Sequence, residues 1–393
     1  LGAEQRATGI TRYGSGVIRR RLLLVLAAAL VAAACTPSAA TTIADADAPG
    51  TVTTLPPVRS PESGQSSLTN VGEVGPPSEG GVGGGRGAGS VVNTSEDGRL
   101  ETEVSQPRGT LVVSGVGDVN LDPAFVRSFP SEGYEYAWTG LHGAFLRDDL
   151  TIVNLECSPS ALGTPWNKPW TFRCDPDALP SMAAAGVDIA NLANNHGIDF
   201  GFDAMLDGMQ NLRDVGIAPV GTGADIHEAY EPVIMEIDGW IVAVIGSGGV
   251  NPETGSWLAR EDRPGMTHGD DTESIAEAVS AAKDYADVVL VTAHWGEQGT
   301  RTPRAFERGQ AEAWIEAGAD GVFGHHQHVL QPLEFYRGKP IAWGLGNFVW
   351  QAYPAEGRIT AIAQFVYEPD GRIGACLVPV VIEQTGQTVV QDP

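Results

Sequence analysis

Basic residues are scarce in this chain. Lys and Arg together number 24, against 49 Asp and Glu in 393 residues, so the formal net charge is -25. Nucleic-acid binding depends on clustered Lys and Arg that contact phosphates, and this composition argues against it. It also disfavours binding of an anionic polymer through the general surface. An anionic substrate would have to be held by metal ions or by a local basic patch.

The phosphate loop of ATP-dependent enzymes is also missing. No Gly-x-x-x-x-Gly-Lys-Ser/Thr motif occurs in the sequence, and that motif cradles the phosphates of ATP in many synthetases. The chain therefore carries no sign of a synthetase.

Long hydrophobic runs are few, and the first one lies in a leader-like segment at residues 1–35. Arg19-Arg20-Arg21 precedes the apolar run 22–34, which is too short to span a bilayer comfortably and is typical of a secretory signal. The run ends at Cys35 in a pattern that resembles a bacterial lipobox. Lipidation of Cys35 would hold the protein at the outer face of a cell membrane. Cleavage after an Ala-x-Ala pattern would instead give a secreted protein.

The next segment, residues 36–108, is rich in Thr, Ser, Pro, Gly and Ala and has hardly any apolar periodicity. Such a composition cannot bury enough apolar surface to fold, so we expect a disordered tether. It would let a folded domain stand away from a membrane anchor. We place that domain at residues 109–384 and a short tail at 385–393.

Cysteine is rare as well, with four in the chain. Cys157 and Cys174 flank a loop rich in Trp and Pro, and an exported protein can keep a disulfide there. The spacing alone leaves open whether the two cysteines pair.

From residue 110 onward, short apolar runs alternate with amphipathic segments. Residues 111–116 and 288–292 read as buried strands, and residues 204–215 have apolar side chains near helical spacing. Strand pairs dominate the last part of the chain. This order predicts an α/β (α+β) fold with two mixed sheets and helices on the outside.

Polar side chains stand directly after several of these runs. Asp118 and Glu156 follow two of the early strands, and five of the eight histidines lie in three such turns. The five are His196, His294, His325, His326 and His328. Each turn alone is weak, but burying so many polar groups would be costly without a shared partner. A metal would be that partner, and mixed nitrogen and oxygen ligands suit Zn, Mn or Fe better than Ca.

The motifs at these turns resemble those of the CapA family, the capsule or poly-γ-glutamate synthesis proteins with a calcineurin-like metallophosphatase fold. The resemblance covers residues 110–384. The motifs are Gly117-Asp118-Val119-Asn120, Asn154-Leu155-Glu156, Asn194-Asn195-His196-Gly197-Ile198-Asp199-Phe200-Gly201, His294-Trp295-Gly296-Glu297, His326-Gln327-His328-Val329-Leu330-Gln331-Pro332 and Gly344-Leu345-Gly346-Asn347-Phe348.

This resemblance implies a four-layer αββα sandwich whose site binds one or two divalent metal ions. Asp118 and His328 would bind the first metal, and Glu156 would stand where the bridging carboxylate stands. The second metal would be held by Asn195, His294 and His326. His196 would be the proton donor to a leaving oxygen, with Asp199 orienting its imidazole.

Two departures from the metallophosphatase pattern put two-metal phosphoester chemistry in doubt. Asn120 takes the place of a histidine ligand, and Glu156 replaces an aspartate. Neutral Asn is a poorer ligand than imidazole, so one metal site is expected to be weak or empty.

Three functions remain open. The first is a membrane-anchored CapA-type protein that acts in synthesis, export or processing of an anionic capsular polymer such as poly-γ-glutamate, with metal-dependent hydrolysis as its candidate chemistry. Polymerisation itself would then depend on separate partner proteins, which we expect to be membrane-bound. The second is a metal-dependent phosphoesterase with a small phosphoester or nucleotide as substrate. The third is a non-catalytic scaffold that binds the polymer.

Overall fold

The computed structural model describes residues 108–250, 254–351 and 355–391. The predicted leader, its Cys35 and the tether up to residue 107 lie outside the described residues. Arg108, assigned to the tether, already contacts the folded part. Its guanidinium donates to the carbonyl oxygen of Gly239 at 2.7 Å and lies 2.9 Å from Asp287.

Sixteen strands and seven helices are found among the described residues. The strands are β1 (Leu111–Val119), β2 (Leu150–Leu155), β3 (Ile189–Asn191), β4 (Ala218–Val220), β5 (Thr222–Gly223), β6 (Val233–Ile237), β7 (Trp240–Gly248), β8 (Gly265–Met266), β9 (Val288–His294), β10 (Gly321–His325), β11 (Leu333–Tyr336), β12 (Lys339–Ala342), β13 (Asn347–Val349), β14 (Ile359–Tyr367), β15 (Ile373–Ile382) and β16 (Thr388–Val390). The helices are α1 (Phe129–Glu132), α2 (Tyr136–Thr139), α3 (Leu179–Ala185), α4 (Phe202–Asp214), α5 (Ile226–Tyr230), α6 (Thr272–Lys283) and α7 (Ala305–Ala317).

Two mixed sheets form the centre of the domain, as the order of elements predicts. One has eight strands in the order β16-β15-β14-β1-β2-β3-β4, with β13 pairing beside the end of β1. The other has six strands in the order β11-β12-β10-β9-β7-β6. The strands that lead to the candidate site are parallel within each sheet, namely β1 to β4 in one and β7, β9 and β10 in the other.

Three hydrophobic clusters separate four layers and confirm the αββα sandwich. In β9, Val288 and Leu290 pack between the two sheets, whereas Val289 and Val291 pack against the helical side. This alternation follows from the two-residue period of a strand, and burial of both faces explains the unbroken apolar sequence. Helices α6 and α7 contribute Ile275, Val279 and Trp314 to that outer cluster. Helices α3 and α4 cover the eight-stranded sheet through Met182, Met205, Met209 and Leu212.

The expected tail at 385–393 needs correction, because it contains β16, which pairs with the open edge of β15. Between α2 and β2 the chain forms a short 3-10 turn at Ala144–Leu146. His142 and Gly143 have φ values of 50° and 74°, and this left-handed backbone interrupts a helix.

Strand β1 comes unusually close to the segment before β13. The amide of Asp118 donates to the carbonyl oxygen of Gly346 at 2.9 Å. A Cβ at Gly117 would lie 2.2 Å from that same oxygen, so the approach requires glycine. In the part of the chain that the structure describes, no helix has the length and hydrophobicity to cross a bilayer.

Candidate metal centre

The predicted metal ligands meet at the edge where the parallel strands of both sheets end. Strands β1, β2 and β3 deliver three of them, and β9 and β10 deliver the other three. The register is shared across the first sheet, because Asp118 pairs with Asn154 and Asn154 pairs with Asn191. The ligand candidates are Asp118, Glu156, Asn195, His294, His326 and His328.

One group of donor atoms surrounds His294. Its Nε2 lies 2.8 Å from Asn195 Oδ1, 3.1 Å from His326 Nδ1 and 3.7 Å from Glu156 Oε1. Donor atoms held at about 2.1 Å by one tetrahedral cation lie about 3.4 Å apart. The three donor atoms around His294 Nε2 therefore lie near the spacing that a single metal ion requires.

A second group consists of Asp118, Glu156 and His328, whose ligand atoms all lie within 4.8 Å of one another. His328 Nδ1 is 3.1 Å from Asp118 Oδ2 and 2.8 Å from Asn347 Oδ1. Asn347 Oδ1 is thus as close to the imidazole of this group as Asn195 Oδ1 is to His294, so each group has an amide oxygen beside its imidazole and carboxylate donors.

Asp118 is held in place by donors on both of its oxygens. Oδ1 accepts a hydrogen bond from Asn154 Nδ2 at 2.9 Å, and Oδ2 accepts one from the His326 amide at 3.3 Å. Burial opposes ionisation of Asp118, but the hydrogen bond from His328 and the nearby imidazoles outweigh it and lower the pKa of Asp118. The carboxylate is therefore ready to bind a cation.

Glu156 belongs to both groups and lacks a partner of its own. It is fully buried, and neither carboxylate oxygen has a hydrogen-bond partner. Burial, together with the charge of Asp118, raises the pKa of Glu156 well above its usual value. Buried polar atoms without partners are rare in folded proteins. A divalent cation would displace the proton and satisfy both oxygens, so this residue fits a metal centre.

The imidazoles of His294 and His326 are kept neutral. Burial lowers the pKa of His326 to about 3, and neighbouring imidazoles act in the same direction. Burial likewise lowers the pKa of His294 well below its usual value. Because neutral imidazole is the form that binds metals, these shifts favour binding near pH 7.

His326 and His328 have unusual backbones, with φ values of 98° and 57°. For residues with a side chain this left-handed region costs about 1–3 kcal/mol, and it is often found at functional sites. Glycine would fit these positions more easily. Histidine at both places indicates that the imidazole is needed where this turn puts it.

His325 differs from its neighbours in the histidine cluster. It ends β10, is fully buried, and has Nε2 3.0 Å from Thr292 Oγ1. Its Nδ1 lies 4.0 Å from Asp118 Oδ1. Burial lowers the pKa of His325 to about 4. His325 therefore lies beneath the ligands.

His196 and Asp199, the predicted proton-transfer pair, lie beside the centre. His196 Nδ1 is 2.6 Å from Asp199 Oδ2, and an ionised carboxylate can only accept, so Nδ1 donates. The other ring nitrogen, Nε2, lies 4.0 Å from Glu156 Oε1. Burial lowers the pKa of His196, which leaves Nε2 with a free lone pair near neutral pH.

The loop between Glu156 and α3 covers this pair. Cys157 and Cys174 form a disulfide that closes the loop. Within it, the Phe172 amide donates to Asp199 Oδ2 at 2.7 Å, and the Phe172 ring centroid lies 4.3 Å from that of His196.

The sequence matches one known protein family over most of the folded domain. The model of the family described as bacterial capsule synthesis protein PGA_cap matches residues 112–352, which is more than half of the chain. The chain belongs to this family. The match confirms the resemblance seen in the motifs, and it encloses all six ligand candidates.

Curated PGA_cap relatives come from several bacteria. The chain is 35% identical over 213 residues to the "probable polyglutamine synthesis accessory protein" of Mycobacterium tuberculosis, covering 51% of this chain and 55% of the relative. It is 32% identical over 265 residues to the PGA biosynthesis protein CapA of Bacillus subtilis, covering 66% and 69%. The chain thus spans about half the length of the mycobacterial relative.

Solved structures match more distantly. A 5'-nucleotidase from Candida albicans has a TM-score of 0.40 at 11% identity, covering 69% of this chain and 52% of that chain. The sulfate thiohydrolase SoxB from Thermus thermophilus has a TM-score of 0.42 at 12% identity, covering 70% and 57%. Values this low support no conclusion about the activity of this PGA_cap protein.

In this PGA_cap chain, Asn120, which departs from the metallophosphatase pattern, makes a local hydrogen bond. Its Oδ1 accepts a hydrogen bond from the Asp122 amide at 2.9 Å, while its Nδ2 is buried without a partner. One lone pair of the Asn120 amide oxygen is therefore already engaged within the loop.

Three functional residues received no role from the sequence. Asn154 and Asn347 lie inside the PGA_cap motifs and contact Asp118 and His328, so their place in those motifs was the available signal. Lys168 had no such signal. It lies in an irregular loop, and nothing in a charged residue between prolines and tryptophans indicates that its side chain is buried.

Proposed function

We propose that this protein is a CapA-type, metal-dependent hydrolase that processes an anionic capsular polymer, such as poly-γ-glutamate, at the outer face of the cell membrane. Glu156 carries the proposal, because its buried, unpartnered carboxylate is shared by two groups of ligand atoms. A residue kept for packing alone would not need that arrangement. The mixed set of imidazole, carboxylate and amide ligands favours Mn, Zn or Fe.

The chemistry follows from the residues around Glu156. When bound, a divalent metal supplies a Lewis acid for a substrate oxygen and makes water more acidic. His196 handles the proton, since its Nε2 is free to accept the one that an attacking water loses. It then passes that proton to the nitrogen that leaves when an amide bond breaks. Asp199 holds the imidazole in the tautomer that makes both transfers possible.

The negative charge of the chain supports binding of the polymer at the metal site rather than over the general surface. With a net charge of -25, the general surface repels a polyanion, so contact would centre on the metal site. Lipidation at Cys35 would keep the protein at the membrane beside the membrane-bound proteins that make the polymer. Release as a secreted protein is the alternative to that anchor.

Metal analysis of the full chain, purified without chelator, tests the site. The wild-type protein is expected to contain Mn, Zn or Fe in stoichiometric amount, and Glu156→Gln is expected to lose it. Incubation with poly-γ-glutamate should then shorten the polymer and release new amino groups with the wild-type protein alone. Full metal occupancy in Glu156→Gln would overturn the assignment of the site.

Two further substrates separate the other functions. Turnover of a chromogenic phosphodiester that Asp118→Asn abolishes would redirect the function to a phosphoesterase. A protein that binds the polymer but cleaves neither substrate, with Mn, Zn and Fe each supplied, would be a scaffold.

A further inference from the structure

Lys168 is a buried cation next to the candidate metal centre. Its side chain is 5% exposed, and its ammonium group lies over the ring of Trp257, 5.1 Å from the ring centroid. Burying a charge is costly unless it is paired and hydrogen-bonded. The contacts of the Lys168 ammonium group therefore indicate what it is for.

Those contacts go to the two ends of one short turn. Lys168 Nζ donates to the main-chain oxygen of Asn195 and lies 2.6 Å from Asp199 Oδ1. Asn195 offers its side-chain oxygen to the His294 group, and Asp199 holds His196. A single ammonium group thus joins a metal-ligand candidate to the carboxylate that orients the proton-transfer residue.

Other residues of the same loop also form hydrogen bonds with Asp199. Lys168 pairs with Oδ1 of that carboxylate. The Phe172 amide and His196 Nδ1 both donate to Oδ2. The Trp166 amide also donates to the main-chain oxygen of Asp199 at 2.7 Å. The carboxylate therefore has fixed partners on both oxygens and little freedom to rotate.

We propose that Lys168 is a positioning residue that fixes the turn from Asn195 to Asp199, so that the Asn195 amide oxygen and the His196 ring face the metal centre together. The metal-directed part of this proposal rests on the proposed function. The Lys168 ammonium group also lies 3.4 Å from His196 Nδ1, the ring nitrogen that contacts Asp199. Lys168 therefore acts on that ring directly, as well as through the main chain of Asn195 and the carboxylate of Asp199.

Lys168→Met and Lys168→Arg test the proposal, because methionine keeps the length of the side chain without its charge and arginine keeps the charge and donors. Lys283→Met is the control. Lys283 also joins an aspartate, Asp320 at 2.6 Å, to a main-chain oxygen, that of Asp287 at 2.8 Å, and both partners directly precede β9 and β10, at the strand ends opposite the centre. The Lys283 side chain is 37% exposed, and Asp320 also pairs with Lys339 at 2.6 Å. The control therefore loses the same kinds of contact without touching the site.

Calorimetric titration of the metal-free full chain with Mn²⁺ or Zn²⁺ gives the first readout. Loss of a group that orients metal ligands typically weakens metal binding by about 10- to 100-fold, and we expect this for Lys168→Met. Lys168→Arg should recover most of the affinity, and Lys283→Met should bind like the wild type. Wild-type affinity in Lys168→Met would overturn the metal-directed part of the proposal.

The second readout needs no metal. The 2.6 Å contact between His196 and Asp199 should give the His196 Nδ1 proton a slowly exchanging, downfield NMR signal in the wild type and in Lys168→Arg. Lys168→Met should lose or broaden it, and an unchanged signal there would refute the positioning of His196. Absence of metal binding by the wild type would refute the proposed function instead, and the NMR signal would still decide the role of Lys168.

Discussion

Replacing Glu156 by Gln is expected to stabilise the metal-free protein while removing its response to metal. The two side chains have nearly the same shape, so packing is conserved and only the charge is lost. In the wild type both carboxylate oxygens are buried without partners, and Asp118 adds a repulsive charge. In contrast, a buried carboxylate with hydrogen-bond or positively charged partners is stabilised in its charged form, and removing its charge destabilises the protein.

The magnitude follows from the buried charge, since Gln leaves the same positions without partners. An unsatisfied buried polar group costs about 1–3 kcal/mol, and more when it is charged. Relief of about 2 kcal/mol at a pH where Glu156 is ionised would raise the melting temperature by roughly 4–8 °C in a domain of this size. The raised pKa fixes the sign of the pH dependence. The wild type loses stability as pH rises through the folded pKa of Glu156, so the advantage of the variant should grow as pH rises from the usual glutamate range toward that raised pKa.

Scanning calorimetry in chelator and in saturating metal measures both effects. Metal at a hundred times its dissociation constant should stabilise the wild type by about 2.7 kcal/mol and leave Glu156→Gln unchanged. Glu307→Gln is the control, because Glu307 is a buried carboxylate with partners, which accepts from the Arg304 amide at 2.8 Å and from its guanidinium at 2.6 Å. This control should lose stability. A Glu156→Gln protein that melts below the wild type in chelator and still responds to metal would refute the reasoning.

Three other perturbations test separate parts of the structure. Gly117→Ala should destabilise the protein by about 1–3 kcal/mol in urea unfolding, because its Cβ would lie 2.2 Å from the Gly346 oxygen; an unchanged midpoint would contradict that close approach. The Glu156→Gln background removes the titration of Glu156, which has the opposite effect on stability. In that background, stability should fall as pH drops below about 6.5. The reason is that a histidine in the unfolded chain takes up a proton there, whereas buried His325, with a pKa of about 4, does not. His325→Gln should remove up to about 3 kcal/mol of that pH dependence, and an unaltered slope would count against it. Replacing both Cys157 and Cys174 by Ser should lower stability by about 3 kcal/mol and also weaken metal binding, since the loop they close carries Lys168; metal titration at wild-type affinity would separate the disulfide from the site.

The sequence predicted those parts of the molecule that depend on regular spacing. Strand β9 reads directly from an unbroken apolar run, and the site follows from polar residues placed where such runs end. Lys168 could not be found in this way, because its role depends on a loop path that brings it to Asp199. The same is true of β16, whose three residues form a strand only because β15 offers an open edge.

The equal division of the ligand candidates between the two sheets has a mechanical consequence. Asp118, Glu156 and Asn195 belong to one sheet, and His294, His326 and His328 belong to the other, so neither sheet carries a complete site. One residue along a strand is about 3.3 Å. Sliding of one sheet over the other by even a fraction of that step would change every distance across the centre. The affinity for a metal would therefore depend on how the two sheets are aligned. Substitutions deep between the sheets, such as at Phe323, which stacks on Phe365 with ring centroids 4.1 Å apart, are expected to alter metal affinity without touching a ligand.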